Sequence, residues 1–307
     1  MGHTHTKRMV QGAMIAALFG VLSLINTYTG SLFDIFICYG MVVPLVWYGY
    51  TYSIKDNVIV CVVSMIVIAM VGLPFFVISS FSSCLTGLFI GEALKRQLSK
   101  GKILLGTFVV MLMNNILLYE VFAGLLQMDI VDEMTLMYQE MVAIMPQIAQ
   151  RVSLDMMISI IPIVLIIMSV MEMYVVILIC QLTLSRLKVQ FPGNFHLATM
   201  HLSEKTGLVV AGFMFSSYLL QNFMNVESIY LTYIYMLGVF TFALQGLSFV
   251  LLFLIMKQRR GLVILAFLAL FIPMVSTIYV VVGIIDIFSD LRRNLLYNNN
   301  NDEEGEL

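Results

Sequence analysis

Apolar residues in this chain run in long blocks, and polar residues gather in the short joints between them. A helix needs roughly 20 mainly apolar residues to cross a bilayer. Nine stretches meet or approach that requirement: 10–27, 33–52, 57–73, 75–94, 102–126, 156–184, 207–223, 229–256 and 262–288. The alternating apolar and polar positions of a membrane β-barrel are missing. The pattern therefore predicts an all-α, polytopic membrane bundle of about nine spans. Between the fifth and sixth stretches, residues 127–155 carry Asp129, Asp132, Glu133, Glu140 and Asp155. Ile130, Met134, Met137, Met141 and Ile144 recur there at helical spacing, which predicts an amphipathic surface helix ended or bent by Pro146. Pro192-Gly193-Asn194 marks a linker within 186–206. The expected organisation is a six-helix bundle over 1–188, further membrane helices over 189–297, and a disordered polar tail over 298–307.

Composition strengthens this picture. Apolar residues make up 61% of the 307 positions and charged residues 11%, with a mean hydropathy of +0.98. Soluble domains average about 45–50% and about 25%. A soluble enzyme, a disulfide scaffold and a nucleic-acid binder are thereby excluded. The four cysteines, Cys38, Cys61, Cys84 and Cys180, lie inside apolar stretches without metal or redox spacing. The net charge of −2 matters less than where the bases fall. With the N-terminus in the cytoplasm, thirteen of the sixteen Lys and Arg lie in inner loops, and Arg151, Arg292 and Arg293 lie outside. The positive-inside rule selects that orientation. The ninth stretch leaves an alternative, because Pro273 divides it and a re-entrant turn there would return the C-terminus to the cytoplasm. Lys7-Arg8 before the first stretch resembles the start of a signal peptide, but no A-x-A-like site follows, so an uncleaved helix is expected.

Ionisable and amide groups at membrane depth are expensive and require an explanation. Glu172, the pair Asn114 and Asn115, and Gln245 each lie roughly 17–18 Å from the cytoplasmic ends of their stretches, at 1.5 Å per residue. They are expected to share a buried polar layer in which Glu172 meets Asn114 or Asn115. Glu120 stands nearer the outer end of its stretch, and Ser79, Ser80, Ser82, Ser83 and Thr86 crowd the outer half of the fourth. Asn114, Asn115, Glu120, Glu172, Ser79 and Ser83 are the candidate ligand-binding residues, forming a cavity that the 127–155 segment would close. Interhelical hydrogen bonding is the competing explanation for the amides, and bonding to the local backbone is the competing one for the hydroxyls.

The first stretch carries two small-residue ridges, Ala13 with Ala17, and Gly12 with Ala16 and Gly20. Residues four apart of this size admit a neighbouring helix, either of the same chain or of another integral membrane subunit. The enzymatic signatures HExxH, GxSxG and the phosphate-binding loop do not occur, and no cofactor or metal site is expected. Any ATP-driven action would require a separate subunit.

Several short patterns carry a resemblance. Lys7-Arg8 with Gln11-Gly12-Ala13 and Ala16-Ala17-Leu18-Phe19, then Val43-Pro44-Leu45 and Tyr48-Gly49-Tyr50, open the series. Leu85 to Gly91 running into Lys95-Arg96, Gln245-Gly246-Leu247, Gly283 to Asp286, and Asp290-Leu291-Arg292-Arg293 continue it. In this order they resemble the YybS-like predicted membrane proteins. The first six stretches also look like the substrate-binding S component of energy-coupling-factor transporters. That resemblance implies a small-molecule site in the outer half and docking to a coupling subunit through the Ala13–Ala17 ridge. S components end after six helices, and this chain continues. The expected location is the bacterial cytoplasmic membrane, and the expected function is small-molecule binding or uptake. The alternative is a non-transporting scaffold or regulator of a membrane complex.

Overall fold

The computed structural model describes residues 2–125, 130–147, 153–193, 195, 197–224, 226, 228–259, 261–270, 272–289 and 291–292. The 298–307 tail lies outside them. Among the described residues every regular element is helical. The helices are α1 (Gly2–Tyr28), α2 (Asp34–Thr51), α3 (Ile54–Val71), α4 (Pro74–Lys95), α5 (Lys100–Leu125) and α6 (Ile130–Ile144). They continue as α7 (Leu154–Ser159), α8 (Ile161–Leu184), α9 (Glu204–Asn222), α10 (Ile229–Met256), α11 (Leu262–Ala269) and α12 (Pro273–Phe288). Local chemistry sets several ends. Ser53, Ser153 and Ser203 each accept a hydrogen bond from the backbone N–H three residues on, which caps α3, α7 and α9. Pro74 and Pro273 occupy the first turns of α4 and α12, where a missing N–H costs nothing. The amphipathic helix falls where the sequence places it, and α6 stops two residues before Pro146. Among the described residues, six helical segments are long and apolar enough to cross a membrane: His5–Tyr28, Ile54–Val71, Pro74–Lys95, Lys100–Tyr119, Leu154–Leu187 and Ile229–Met256. The ninth apolar stretch is divided between α11 and α12.

The chain forms two compact units, Met1–Ala143 with Met168–Phe195, and Ile144–Ile167 with His196–Leu307. The first unit runs on past the sixth stretch to Phe195, and 144–167 groups with the C-terminal residues. The reason is local. Gln181 Nε2 donates to the Gly193 carbonyl at 3.3 Å, and Gln181 Oε1 accepts from Phe195 N–H at 3.1 Å, so the segment after α8 folds back on it.

In the first unit, α2 packs on α4 and α1 on α3. Lipid is as apolar as leucine, so burial alone does not hold such helices together, and close van der Waals approach must contribute. Glycine supplies it. Gly91 lies against the Gly49 Cα and the Val46 carbonyl, and Gly87 against Leu45. Gly12 faces Val60 and Gly20 faces Val67, so α1 and α3 run parallel. Around these contacts Phe19, Met41, Leu45, Ile68 and Phe76 form a fully buried core.

In the second unit α9 and α10 are antiparallel, as shown by Gly238 against Met214 and by Gln221 Nε2 donating to Thr232 Oγ1 at 3.0 Å. The densest contact is α10 with α12. A Cβ at Gly246 would overlap the Tyr279 carbonyl, and one at Gly283 would overlap the Phe242 carbonyl. Tyr279 Oη donates to the Ala266 carbonyl at 2.7 Å and ties α12 to α11.

One element of the charge assignment changes. The nine-crossing count puts Met200 on the inner side and Arg292 outside. Arg292 Nη1 instead donates to the Met200 carbonyl at 2.7 Å. A hydrocarbon core is about 30 Å thick, so the two residues share one level. Arg292 therefore lies level with Met200 within the second unit, not a membrane's thickness away from it.

Two outcomes are expected. A reporter fused after Leu307 should report the same side of the membrane as one inserted near residue 190, in a paired accessibility assay with impermeant reagents. Gly246→Ala should destabilise the detergent-solubilised protein by the upper end of about 1–3 kcal/mol, since the added carbon meets backbone. Gly212→Ala, where the added carbon meets nothing, should not lower the melting temperature.

Candidate functional site

Four helices of the first unit line an open-sided cavity of about 280 Å³. Each contributes a stripe at three- and four-residue spacing, the period that places side chains on one helical face. From α2 come Ile35, Cys38, Tyr39 and Val42, with Asp34 at the rim, and from α4 come Ser79, Ser82, Ser83 and Thr86, with Phe75. Met111, Asn115 and Leu118 come from α5, and Met168 and Glu172 from α8. The lining is thus an apolar shell with a polar wall.

The polar wall has definite partners. Asn115 Nδ2 donates to Glu172 Oε2 at 2.8 Å and lies 3.0 Å from Ser169 Oγ. Asn114 is the next residue but points about 100° around the helix. It donates to the Ser82 carbonyl and Thr86 Oγ1 of α4, at 3.4 and 3.5 Å, and does not line the cavity. Ser83 Oγ donates to the Cys38 carbonyl at 2.9 Å, joining α4 to α2. Ser79 and Thr86 donate to carbonyls one turn back on their own helix, at 3.2 and 2.9 Å. Hydroxyls satisfied in this way still present lone pairs to the cavity. At the rim, Asn26 Nδ2 donates to Asp34 Oδ1 at 3.0 Å, which fixes the start of α2 against the end of α1.

Of the six residues nominated from sequence, the cavity gathers Ser79, Ser83, Asn115 and Glu172, while Asn114 stands behind it. Glu120 is on α5, and its side chain lies outside the described residues. No described residue of 127–155 lines the cavity. Sequence reasoning missed Asp34 and Tyr39 as lining residues, whereas Ser82 and Thr86, part of the crowded hydroxyl stretch, line the cavity with Ser79 and Ser83. The spacing of Ser79, Ser82, Ser83 and Thr86 was a usable signal. Tyr39 gave none, since aromatic residues are common in such spans.

The two ridges of α1 separate. Ala16 and Gly20 are buried and Gly12 packs on α3, whereas Ala13 and Ala17 face outward.

A second polar cluster stands in the second unit. The Asp286 carboxylate is wholly buried. Gln245 Nε2 donates to Asp286 Oδ2 at 2.5 Å, and Arg292 Nε donates to Oδ1 at 3.2 Å. Arg292 Nη2 reaches Ser248 Oγ at 3.0 Å, and Ser248 in turn donates to the Met200 carbonyl at 2.6 Å. Gln245 Oε1 accepts from the Leu202 N–H at 3.1 Å. The His201 Nδ1 lies 3.2 Å from Gln245 Nε2. Depth along the sequence groups Gln245 with Glu172, but its partners are Asp286 and the segment before α9. Depth is only one of three coordinates, and Gln245 and Glu172 belong to different units. Among the described residues no three His, Cys, Asp or Glu are placed to hold a metal ion.

The long apolar helices, joined by buried interhelical hydrogen bonds, define a polytopic membrane protein. A family model described as "Predicted membrane protein (DUF2232)" matches residues 17–287, and the chain belongs to that family. No curated protein and no solved structure matches the chain.

The Asp286 cluster gives a stability test. Arg292→Gln removes the cation of a buried carboxylate and should cost about 3–5 kcal/mol. Asp286→Asn together with Arg292→Gln should cost clearly less than the two single changes added. Thermal melts of the four proteins in one detergent check this, and additive losses would show that the pair is uncoupled.

Proposed function

We propose that the first unit binds a small polar molecule in the Glu172 cavity, and that this binding is the basis of an uptake role. The supporting observation is the cavity wall itself. Asn115 holds one oxygen of Glu172, and Asp34, Tyr39 and four hydroxyl-bearing residues of α4 share the same lining. Interhelical glue alone would require the polar groups to meet each other and leave no space between the helices. Here space remains. Its volume of about 280 Å³ is just under the range of about 300–1,000 Å³ usual for ligand pockets, so the ligand is smaller than a typical drug molecule. Phe75, Met111, Leu118 and Met168 cover the apolar part of such a ligand, while Glu172 and the α4 hydroxyls orient its polar part. The S-component resemblance of the first six stretches supports the same reading. Within a YybS-like chain the second unit is then an addition to a binding bundle. Coupled transport would draw its energy from another subunit.

The test is recovery of the ligand. Protein purified from native membranes in mild detergent is denatured, and the released small molecules are identified by mass spectrometry. Wild type should release one species near equimolar amount. Glu172→Leu should fold with an unchanged helical spectrum and release less than a tenth of it. Equal recovery from both proteins, or no species from wild type, overturns the assignment.

A further inference from the structure

A second cleft, of about 370 Å³, lies in the first unit between α1 and α3. It is lined by His5, Arg8, Met9, Gly12 and Ala13 of α1, by Asp56, Ile59, Val60 and Val63 of α3, and by Tyr48. Because α1 and α3 are parallel, their polar first turns lie at one end, and the cleft grades along its length. His5, Arg8 and Asp56 form its mouth. Eight residues beyond His5 along α1, about 12 Å at 1.5 Å per residue, Ala13 lines the open side of the cleft together with Val60 and Val63, in a wall without polar side chains. Gly12 and Ala13 make the space, since larger side chains there would fill it. Met9, Ile59 and Val63 are exposed on the rim, so the cleft opens sideways from the bundle.

The mouth is an ion pair with capacity left over. Arg8 Nη1 donates to Asp56 Oδ2 at 2.8 Å. Ser53 Oγ also donates to Oδ2, at 2.9 Å, so both side-chain bonds to Asp56 end on one oxygen and Oδ1 is left to accept. Tyr48 Oη donates to the Arg8 carbonyl at 3.2 Å and holds this turn of α1 in place. A guanidinium has five N–H groups, of which the pair uses one. The lining therefore offers one cation with spare donors beside one anion with a spare acceptor, above an apolar trough at the end of two spans.

The geometry points to an aminophospholipid as the occupant. Its phosphodiester lies on Arg8, its primary ammonium donates to Asp56 Oδ1, and an acyl chain follows Met9, Ala13 and Val63. Charge decides between lipids. The lining carries one positive and one negative group, so a zwitterionic headgroup is matched and an anionic one leaves Asp56 facing a second negative charge. A choline headgroup has no N–H to give Oδ1.

The experiment uses the full chain, delipidated in detergent. Its melting temperature is followed on addition of dioleoyl phosphatidylethanolamine, phosphatidylglycerol, phosphatidylcholine or free phosphoethanolamine. Phosphatidylethanolamine should raise it by several degrees, the other two lipids by less than half as much, and free phosphoethanolamine not at all. Ala13→Leu, which fills the trough, should abolish the difference, and Ala17→Leu, one turn on and outside the lining, should keep it. Should Ala13→Leu fail to fold, Ile59→Trp at an exposed lining position gives the same reading. Equal shifts from the three lipids, or an undiminished phosphatidylethanolamine preference in the filled variant, overturn the proposal. A shift with free phosphoethanolamine alone does so too, by showing a headgroup site without a lipid.

Discussion

A polar group inside hydrocarbon has no water to bond, so the chain itself must supply a partner. That requirement organises both units. Glu172 takes Asn115, and Asp286 takes Gln245 and Arg292. Asn57 donates to the Leu45 carbonyl and so links α3 to α2. Each of these bonds joins different helices or joins a helix to the segment beside it. Satisfying the group and fixing the bundle are therefore one event. The rule has exceptions among the described residues: the hydroxyls of Ser23, Ser64, Ser80 and Thr107 and the amide oxygens of Asn26 and Asn57 are buried without a hydrogen-bond partner.

The two buried carboxylates show two solutions to the same problem. Asp286 is closed off, with a cation, an amide and a network that extends through Ser248 to the backbone at Met200. Its carboxylate is partnered on both oxygens, and the cluster ties Arg292, beyond α12, to the segment before α9. Glu172 has a neutral amide for one oxygen and borders a cavity. The difference separates a structural acid from a candidate binding acid, and it lies in the surroundings rather than in residue type.

How much of this could be read from the sequence follows from the range of each interaction. Helices were legible because apolar block length is a local property, and Pro146 and Pro273 announced their own breaks. The Asn115–Glu172 pair was legible in outline, since depth along two neighbouring spans brings both to one level, although depth could not choose between Asn114 and Asn115. The Asp286 cluster was not legible. Its members are separated by up to 92 residues, between Met200 and Arg292, and the positive-inside count placed those two on opposite faces. A hint was present all the same. Gln245-Gly246, Gly283 to Asp286 and Arg292 belong to patterns that carry the family resemblance, and in the structure they meet at one place. Asp34 gave no signal of a site because it stands at a span end, where water is the default partner. The cavity reaches that far.

The crossing of α10 and α12 at Gly246 and Gly283 puts main chain directly against main chain. Side-chain interfaces adapt when one member changes size, because a neighbour can swing to another rotamer. Two backbones have no such slack. The pair can move only as a solid block, and the tolerance of this region to mutation must be sought in its lipid-facing positions, since neither glycine has an intermediate through which it could drift.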